Sequence, residues 1–269
     1  MPVVELTARQ AIAAFLRRNA RAHVYELGDL DDFDWPWTRW FGWDSGGRLE
    51  QVVLLYSRPS VPVLIAITEQ PPDTMESLIQ ALQGTLPPRL YLHASPPLLD
   101  VFRERYAVES AEPHLKLALA RNDLLAPNAS PVDLLGDADL PEIDAFYRVA
   151  YPGTWFEPRM LATGRYVGIR ESGRLACIAG VHLYSPTWGV AALGNVATLP
   201  EARGRGLARE ACAALCLLLL EDGIETIALN VRGDNEAALR SYAGLGFEPA
   251  VEYVEASVVA RARGLMSLG

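Results

Sequence analysis

The residues of this chain best suited to chemistry are Arg203-Gly204-Arg205-Gly206, which follow the apolar run Asn195-Val196-Ala197-Thr198 and open a helix at Leu207. Two glycines remove Cβ atoms where a phosphate must approach the backbone. The unpaired amides of the first helical turn point at such an anion with the helix dipole behind them. Arg203, Arg205 and Arg209 add charge-assisted donors. The pattern is neither G-x-x-x-x-G-K-[ST] nor G-x-G-x-x-G, so it is not that of a P-loop or a dinucleotide fold. The plainer reading of the arginines is solvated surface charge, against which their coincidence with the glycines speaks.

A phosphate turn needs a strand to deliver it and a helix to follow it. Periodicity predicts a helix from Leu207 to Glu221, stopped by Asp222-Gly223, and then a buried strand over Glu225–Val231. Gly233-Asp234 supplies a turn and cap for a second helix that runs from Asn235 toward the Gly-rich end at Gly244-Leu245-Gly246-Phe247. Asn235 and Tyr242 lie seven residues apart, two helical turns, and so share a face. Each has a plainer reading: Asn235 as a helix-start residue, Tyr242 as a ring packed on the sheet.

Val196 to Arg209, followed by Asn235-x-x-Ala238-x-x-x-Tyr242-x-x-x-Gly246-Phe247, resembles the acetyl-CoA-binding half of the GNAT acetyltransferase superfamily. The resemblance covers the chain from about Ser130 onward and only faintly the half before it. It implies that backbone groups of Val196, Ala197 and Thr198 pair with the pantetheine arm like an added strand, beside a splay that exposes an amide to the thioester carbonyl. It implies that Arg203, Gly204, Arg205, Gly206, Leu207, Ala208 and Arg209 surround the pyrophosphate, with Ala208 where the family most often has glycine. Asn235 is then expected to bond the cofactor arm, and Tyr242 to protonate the departing thiolate.

The implied reaction is direct attack of an amine on the thioester carbon, with fixed amides stabilising the charge that develops on oxygen. A phenol of pKa about 10 is protonated at neutral pH and can serve as the acid. The base is less legible. The place where several family members carry a carboxylate is Asn230 here, which cannot take a proton. His182, on an expected central strand, and Glu157, on an expected acceptor-side loop, are the candidates. Their plainer readings are an ordinary strand histidine and a solvated loop acid, and a water chain is a third solution.

Composition narrows the setting. The chain has 269 residues, half of them apolar, enough for one or two domains. A net charge of −9 discourages nucleic acid and mildly favours cationic acceptors, a small-molecule or peptide amine among them. Its opening residues lack the basic and apolar regions of a secretory signal, and Ala211 to Leu220 is too short to span a bilayer. Three cysteines argue against a disulfide framework. Cys212 and Cys216 read as small apolar packing residues rather than a metal pair, and Cys177 as a strand residue. The expected setting is therefore the cytoplasm, without membrane insertion and without metal.

The order of elements repeats. Gln51–Tyr56, Pro62–Thr68 and Arg89–His93 read as strands, Met75–Leu82 and Leu98–Tyr106 as helices, and His114–Leu119 as a last strand, echoing the C-terminal half. Where the second half has its Gly/Arg turn, the first has Glu69-Gln70-Pro71-Pro72-Asp73, with no glycine, two prolines lacking amide hydrogens and two acids. The expectation is an α/β protein of two GNAT-like lobes, each a mixed, mostly antiparallel twisted sheet flanked by helices: a degenerate lobe over 1–121, a linker over 122–131 and an N-acetyltransferase domain over 132–269. The stretch from Asp31 to Trp43, with four of the six tryptophans, reads as an acceptor-site wall, an interdomain or homodimer contact, or a compact core. The alternative to the enzyme is a non-catalytic CoA-binding sensor or scaffold, and a third reading is transfer of a longer acyl chain.

Overall fold

The computed structural model describes residues 2–69, 71–125 and 131–261. In chain order the elements begin with β1 (Val3–Leu6), α1 (Arg9–Leu16), α2 (Val24–Gly28), β2 (Thr38–Asp44), β3 (Leu49–Tyr56), β4 (Val63–Ala66), α3 (Asp73–Leu82), β5 (Arg89–Ala94), α4 (Leu98–Arg103) and β6 (Tyr106–Leu119). They continue with β7 (Asp133–Leu134), α5 (Leu140–Ala150), β8 (Val167–Glu171), β9 (Arg174–Ser185), β10 (Val190–Thr198), α6 (Leu207–Glu221), β11 (Thr226–Arg232), α7 (Glu236–Ala243) and β12 (Phe247–Ala260). The chain forms two compact units, the first from residues up to Asn19, Asp32–Leu115 and the chain from Val251, the second from Ala20–Asp31 and Lys116–Ala250.

This division departs from the boundaries expected along the sequence, 1–121 and 132–269, in two places. Val254 to Val259 pair antiparallel with Ala94 to Arg89, so the last strand completes the sheet of the first unit. Conversely, α2 packs on β9, β10 and β11 in the second unit. Val24, Leu27 and Leu30 are fully buried there. Buried Glu26 lies 3.6 Å from Lys116 Nζ, which also donates to the Ala22 carbonyl at 2.5 Å. Apolar burial and a paired charge outweigh position along the chain. Of the expected linker, Asn122–Leu124 forms a short 3-10 turn, and 126–130 lie outside the described residues.

In the first unit the strands run β1-β2-β3-β4-β5 and then the outer part of β12, antiparallel except for β4 and β5. The parallel pair is joined through α3, whose Met75, Leu78, Ile79 and Leu82 are buried in a core with Leu90, Leu92 and Val258. The second unit repeats the device. Its order is β7-β8-β9-β10-β11, antiparallel except for β10 and β11, which are joined through α6. Such a crossover packs a helix on the sheet and leaves a strand end facing a helix start.

The two crossovers differ where a ligand could enter. In the first unit β4 is paired with β5 over its whole length, Val63↔Tyr91 to Ala66↔Ala94. Beyond it, the Ser95 hydroxyl accepts from the Thr68 amide (2.9 Å) and donates to the Thr68 carbonyl (3.2 Å), stitching the strand ends together. Its helix starts after Pro72, with φ −70° and no amide hydrogen, and Gln70 of the expected turn lies outside the described residues. The Trp-rich stretch supplies β2, where Trp40 is buried, while Trp37 and Phe33 of the preceding turn are exposed.

Candidate active site

In the second unit β10 leaves β11 early. The parallel register runs from Val190↔Thr226 to Leu193↔Leu229 and stops, although β10 continues to Thr198 and β11 to Arg232. A bulge accompanies the parting: Gly194 faces Gly180 and Ala197 faces Ile178 across β9, so β10 carries one extra residue. The chain makes room for it at Asn195, which adopts a left-handed φ of 53° while almost wholly buried. Val196 and Thr198 are half-buried at this opening, and Ala197 is buried.

Past the opening, Gly204 (φ 75°) and Gly206 (φ 82°) turn the chain into α6, and a Cβ on either would meet nothing within 4 Å. Left-handed φ is what glycine tolerates without penalty. The first backbone bond of the helix is donated by the Glu210 amide to the Gly206 carbonyl (3.1 Å), so the amides of Leu207, Ala208 and Arg209 precede the ladder. The three arginines rest on protein oxygens. Arg203 donates to the carbonyls of Thr198 (3.2 Å) and Ala150 (3.1 Å), Arg205 forms a two-armed pair with Glu171, and Arg209 donates to the Gly244 carbonyl (2.8 Å). An exposed ion pair such as Arg205–Glu171 contributes about 0.2–1 kcal/mol.

Asn235 caps α7, its Oδ1 accepting from the Ala238 amide at 3.1 Å, a bond that leaves the two Nδ2 hydrogens uncommitted to the cap. Tyr242 stands in the last turn, its ring edge-on to Phe247 at 5.8 Å. Burial drives its hydroxyl pKa well above the usual range, and the neighbouring thiols of Cys212 and Cys216 and the Tyr25 phenol push the same way. The phenol therefore keeps its proton at any physiological pH. Burial also raises the cysteines, Cys177 to about 11 and Cys216 to about 12, so these thiols stay protonated and unreactive. Among the described residues, no group of three or more His, Cys, Asp or Glu is arranged to hold a metal ion.

His182 and Glu157 are placed differently from one another. His182 lies across Gly194, where a Cβ would come within 2.3 Å of its ring, and Nε2 is 3.0 Å from Asn195 Oδ1. With that nitrogen donating to the carboxamide oxygen, a neutral ring holds its lone pair on Nδ1. Glu157 is already engaged: Oε1 accepts from Trp155 Nε1 (3.2 Å) and Oε2 pairs with Arg159. Asn230, the residue just past the last β10–β11 pair, has its buried Oδ1 without a hydrogen-bond partner among the described residues. A cleft of about 360 Å³ opens beside α5 and the following loop, lined by Tyr147, Arg148, Tyr151, Thr154 and Phe156 among others.

Several of these groups were not singled out from sequence. Asn195 is joined by Tyr147, whose hydroxyl donates to its carbonyl oxygen at 2.7 Å, by Thr154, whose hydroxyl donates to Oδ1 at 3.0 Å, and by Tyr166, whose oxygen accepts from Nδ2 at 2.8 Å. Burial raises the pKa of both phenols, so they remain donors, and the Tyr166 hydroxyl donates to the Val181 carbonyl at 3.1 Å. The one available signal was an asparagine inside an apolar strand, where that residue type is depleted.

Residues 137–247 match the model of the acetyltransferase (GNAT) family. Mycothiol acetyltransferase of Tsukamurella paurometabola is 38% identical over 96 residues, which is 35% of this chain and 33% of that protein; the match thus spans about a third of the relative's length. Among solved structures, a GNAT-family protein from Novosphingobium aromaticivorans is 25% identical, with a TM-score of 0.52 over 78% of this chain and 88% of that one. A tandem GNAT protein from the clavulanic acid biosynthesis pathway shares the fold over 97% of this chain and 99% of its own, at 16% identity and a TM-score of 0.52. The mixed α/β architecture with a mostly antiparallel sheet is thus that of GNAT folds.

Proposed function

We propose that the second unit binds acetyl-CoA and transfers its acetyl group to an amine. The observation that carries this reading is the parting of β10 from β11 after Leu193, in line with the open Gly204–Gly206 helix start. The residues present fit the ligand: an unpaired strand edge suits an amide-bearing arm, the orphaned Asn230 Oδ1 lacks a donor, and glycine positions without neighbours suit a diphosphate. When bound, acetyl-CoA supplies an acyl carbon activated as a thioester.

The roles of the chain's own residues follow. Backbone groups of Val196, Ala197 and Thr198 hold the arm, and the amides of residues 204–209, with Arg203, Arg205 and Arg209 exchanging their protein partners, hold the phosphates. Asn235 offers its Nδ2 hydrogens to the arm. Tyr242, kept protonated by burial, donates to the sulfur. His182, with Nε2 fixed by Asn195, is the group on the acceptor side able to take a proton. The cleft lined by Tyr147 and Thr154 receives the amine, a small molecule or a peptide terminus. The likeness to mycothiol acetyltransferases supports acetyl as the acyl group.

Titration of the full chain with CoA by calorimetry, followed by thioester consumption over an amine panel with acetyl-, propionyl- and succinyl-CoA, tests the reading. Tight CoA binding with consumption of acetyl-CoA by one class of amine is the expected result; no binding overturns it. A non-catalytic CoA sensor is the second reading, favoured by the uncharged Asn230 and by Glu157 having both oxygens engaged. Binding without turnover on any amine selects it.

A further inference from the structure

We propose that Asn195 is a positioning residue that aims the Val196 amide and ties that aim to the acceptor-side cleft. The proposal rests on the acetyltransferase reading and adds to it a device within this chain. Tyr147 donates to the Asn195 carbonyl oxygen at 2.7 Å. The peptide between Asn195 and Val196 is planar and trans, so fixing that carbonyl fixes the Val196 N–H in the opposite direction. Val196 is half-buried, at the point where β10 has left β11. The Tyr147 hydroxyl therefore orients the amide that stands at the opening.

The side chain of Asn195 explains why the bulge holds an asparagine. Backbone geometry alone, a left-handed φ of 53°, would be met at least as well by glycine. Asparagine adds a carboxamide whose oxygen takes Thr154 Oγ1 and His182 Nε2, both at 3.0 Å, and whose nitrogen reaches the Tyr166 hydroxyl at 2.8 Å. Glycines make the rings fit. Gly180 and Gly194 face each other across β9 and β10, and a Cβ on them would strike Tyr166 at 2.2 Å and His182 at 2.3 Å. Tyr147 and Thr154 also line the cleft. A molecule seated there touches the same two residues whose hydroxyls hold the bulge, and its fit and the amide's direction are one linked state. Strain of this kind persists where the surroundings over-determine it.

Three variants test this in the full chain. Tyr147→Phe removes one hydroxyl, and Asn195→Gly keeps the bulge conformation while removing the carboxamide. For both, CoA affinity by calorimetry is expected to stay within about twofold while kcat falls roughly 100-fold, the scale of losing one oxyanion donor. Thr154→Val is expected to raise the acceptor KM more than it lowers kcat. In wild type, the Val196 amide resonance is expected to shift when a CoA ketone analogue that retains the carbonyl is added, and to shift much less with CoA itself. Retained kcat in Tyr147→Phe, equal loss of CoA affinity and kcat, or a Val196 resonance that responds alike to both ligands overturns the proposal. Should the variants not fold, the wild-type resonance decides. Failure of wild type to bind CoA at all refutes instead the reading beneath it.

Discussion

Gly206 and Gly223 stand at opposite ends of α6 with the same φ of 82°, and a Cβ at either meets nothing within 4 Å. Valine at each position therefore adds comparable backbone strain, at least about 1–2 kcal/mol for a side chain in the left-handed region, without a clash inside the protein. Thermal melts of the two variants should fall together, by about 2–8 °C. Their ligand responses should not. Gly206 begins the turn whose amides are available to a diphosphate, whereas Gly223 ends the helix and faces no proposed ligand. If the strained turn forfeits two charge-assisted hydrogen bonds at about 1.5–3 kcal/mol each, the loss is about 3–6 kcal/mol, and at about 1.4 kcal/mol per tenfold this is a fall in CoA affinity of 100-fold or more. Gly223→Val should bind CoA within about twofold of wild type. Calorimetry with CoA on the full chain, run beside the melts, reads both quantities. Were Gly206→Val to melt like Gly223→Val and still bind CoA as wild type does, the turn would not be the phosphate site.

Tyr242→Phe should lower kcat by about 100-fold or more with CoA affinity nearly intact; steady-state kinetics with an accepted amine checks it, and full turnover removes Tyr242 as the acid. Lys116→Met leaves buried Glu26 with His23 but without its ammonium partner and should cost about 3 kcal/mol by chemical denaturation, the low end for breaking a buried pair. Burial penalises the Glu26 carboxylate, but Lys116 and His23 outweigh it and hold its pKa at about 2, below its unfolded value near 4.5. A depressed carboxyl contributes stability above the unfolded value and loses it as pH falls through the folded one. The gap between wild type and Lys116→Met should thus be full above pH 4.5 and narrow toward pH 2; a gap independent of pH would rule out the pair as its cause. Asn235→Ala should lose about 1 kcal/mol as a helix cap, and it should weaken CoA binding in addition only if its Nδ2 hydrogens also serve the ligand; paired melts and calorimetry separate the two.

The local elements were legible because each rests on short-range rules. Leu207–Glu221 has an apolar helical pattern ended by Asp222-Gly223, and α6 occupies that span. Positive φ at Gly204 and Gly206 follows from the turn that two glycines in four residues invite. The first half's lack of a Gly/Arg turn before α3 was visible in the sequence, whereas the unbroken pairing of β4 with β5 was not. Helix Leu98–Tyr106 was overlong: it ends at Arg103, and Tyr106 opens β6, because a fully buried ring packs better in the strand.

Sequence by itself determined the motif and its order, since glycine conformations, helix caps and strand periodicity act over a few residues. It did not determine which segments share a core. That α2 covers β9 to β11, and that the strand from Val251 pairs with β5, are settled by apolar surface and backbone hydrogen bonds between residues far apart along the chain. Nor did it show that Tyr147, Thr154, Tyr166 and His182 converge on one asparagine. Four side chains on separate elements acquire a common partner only when the sheet twists, parts and bulges at a single residue.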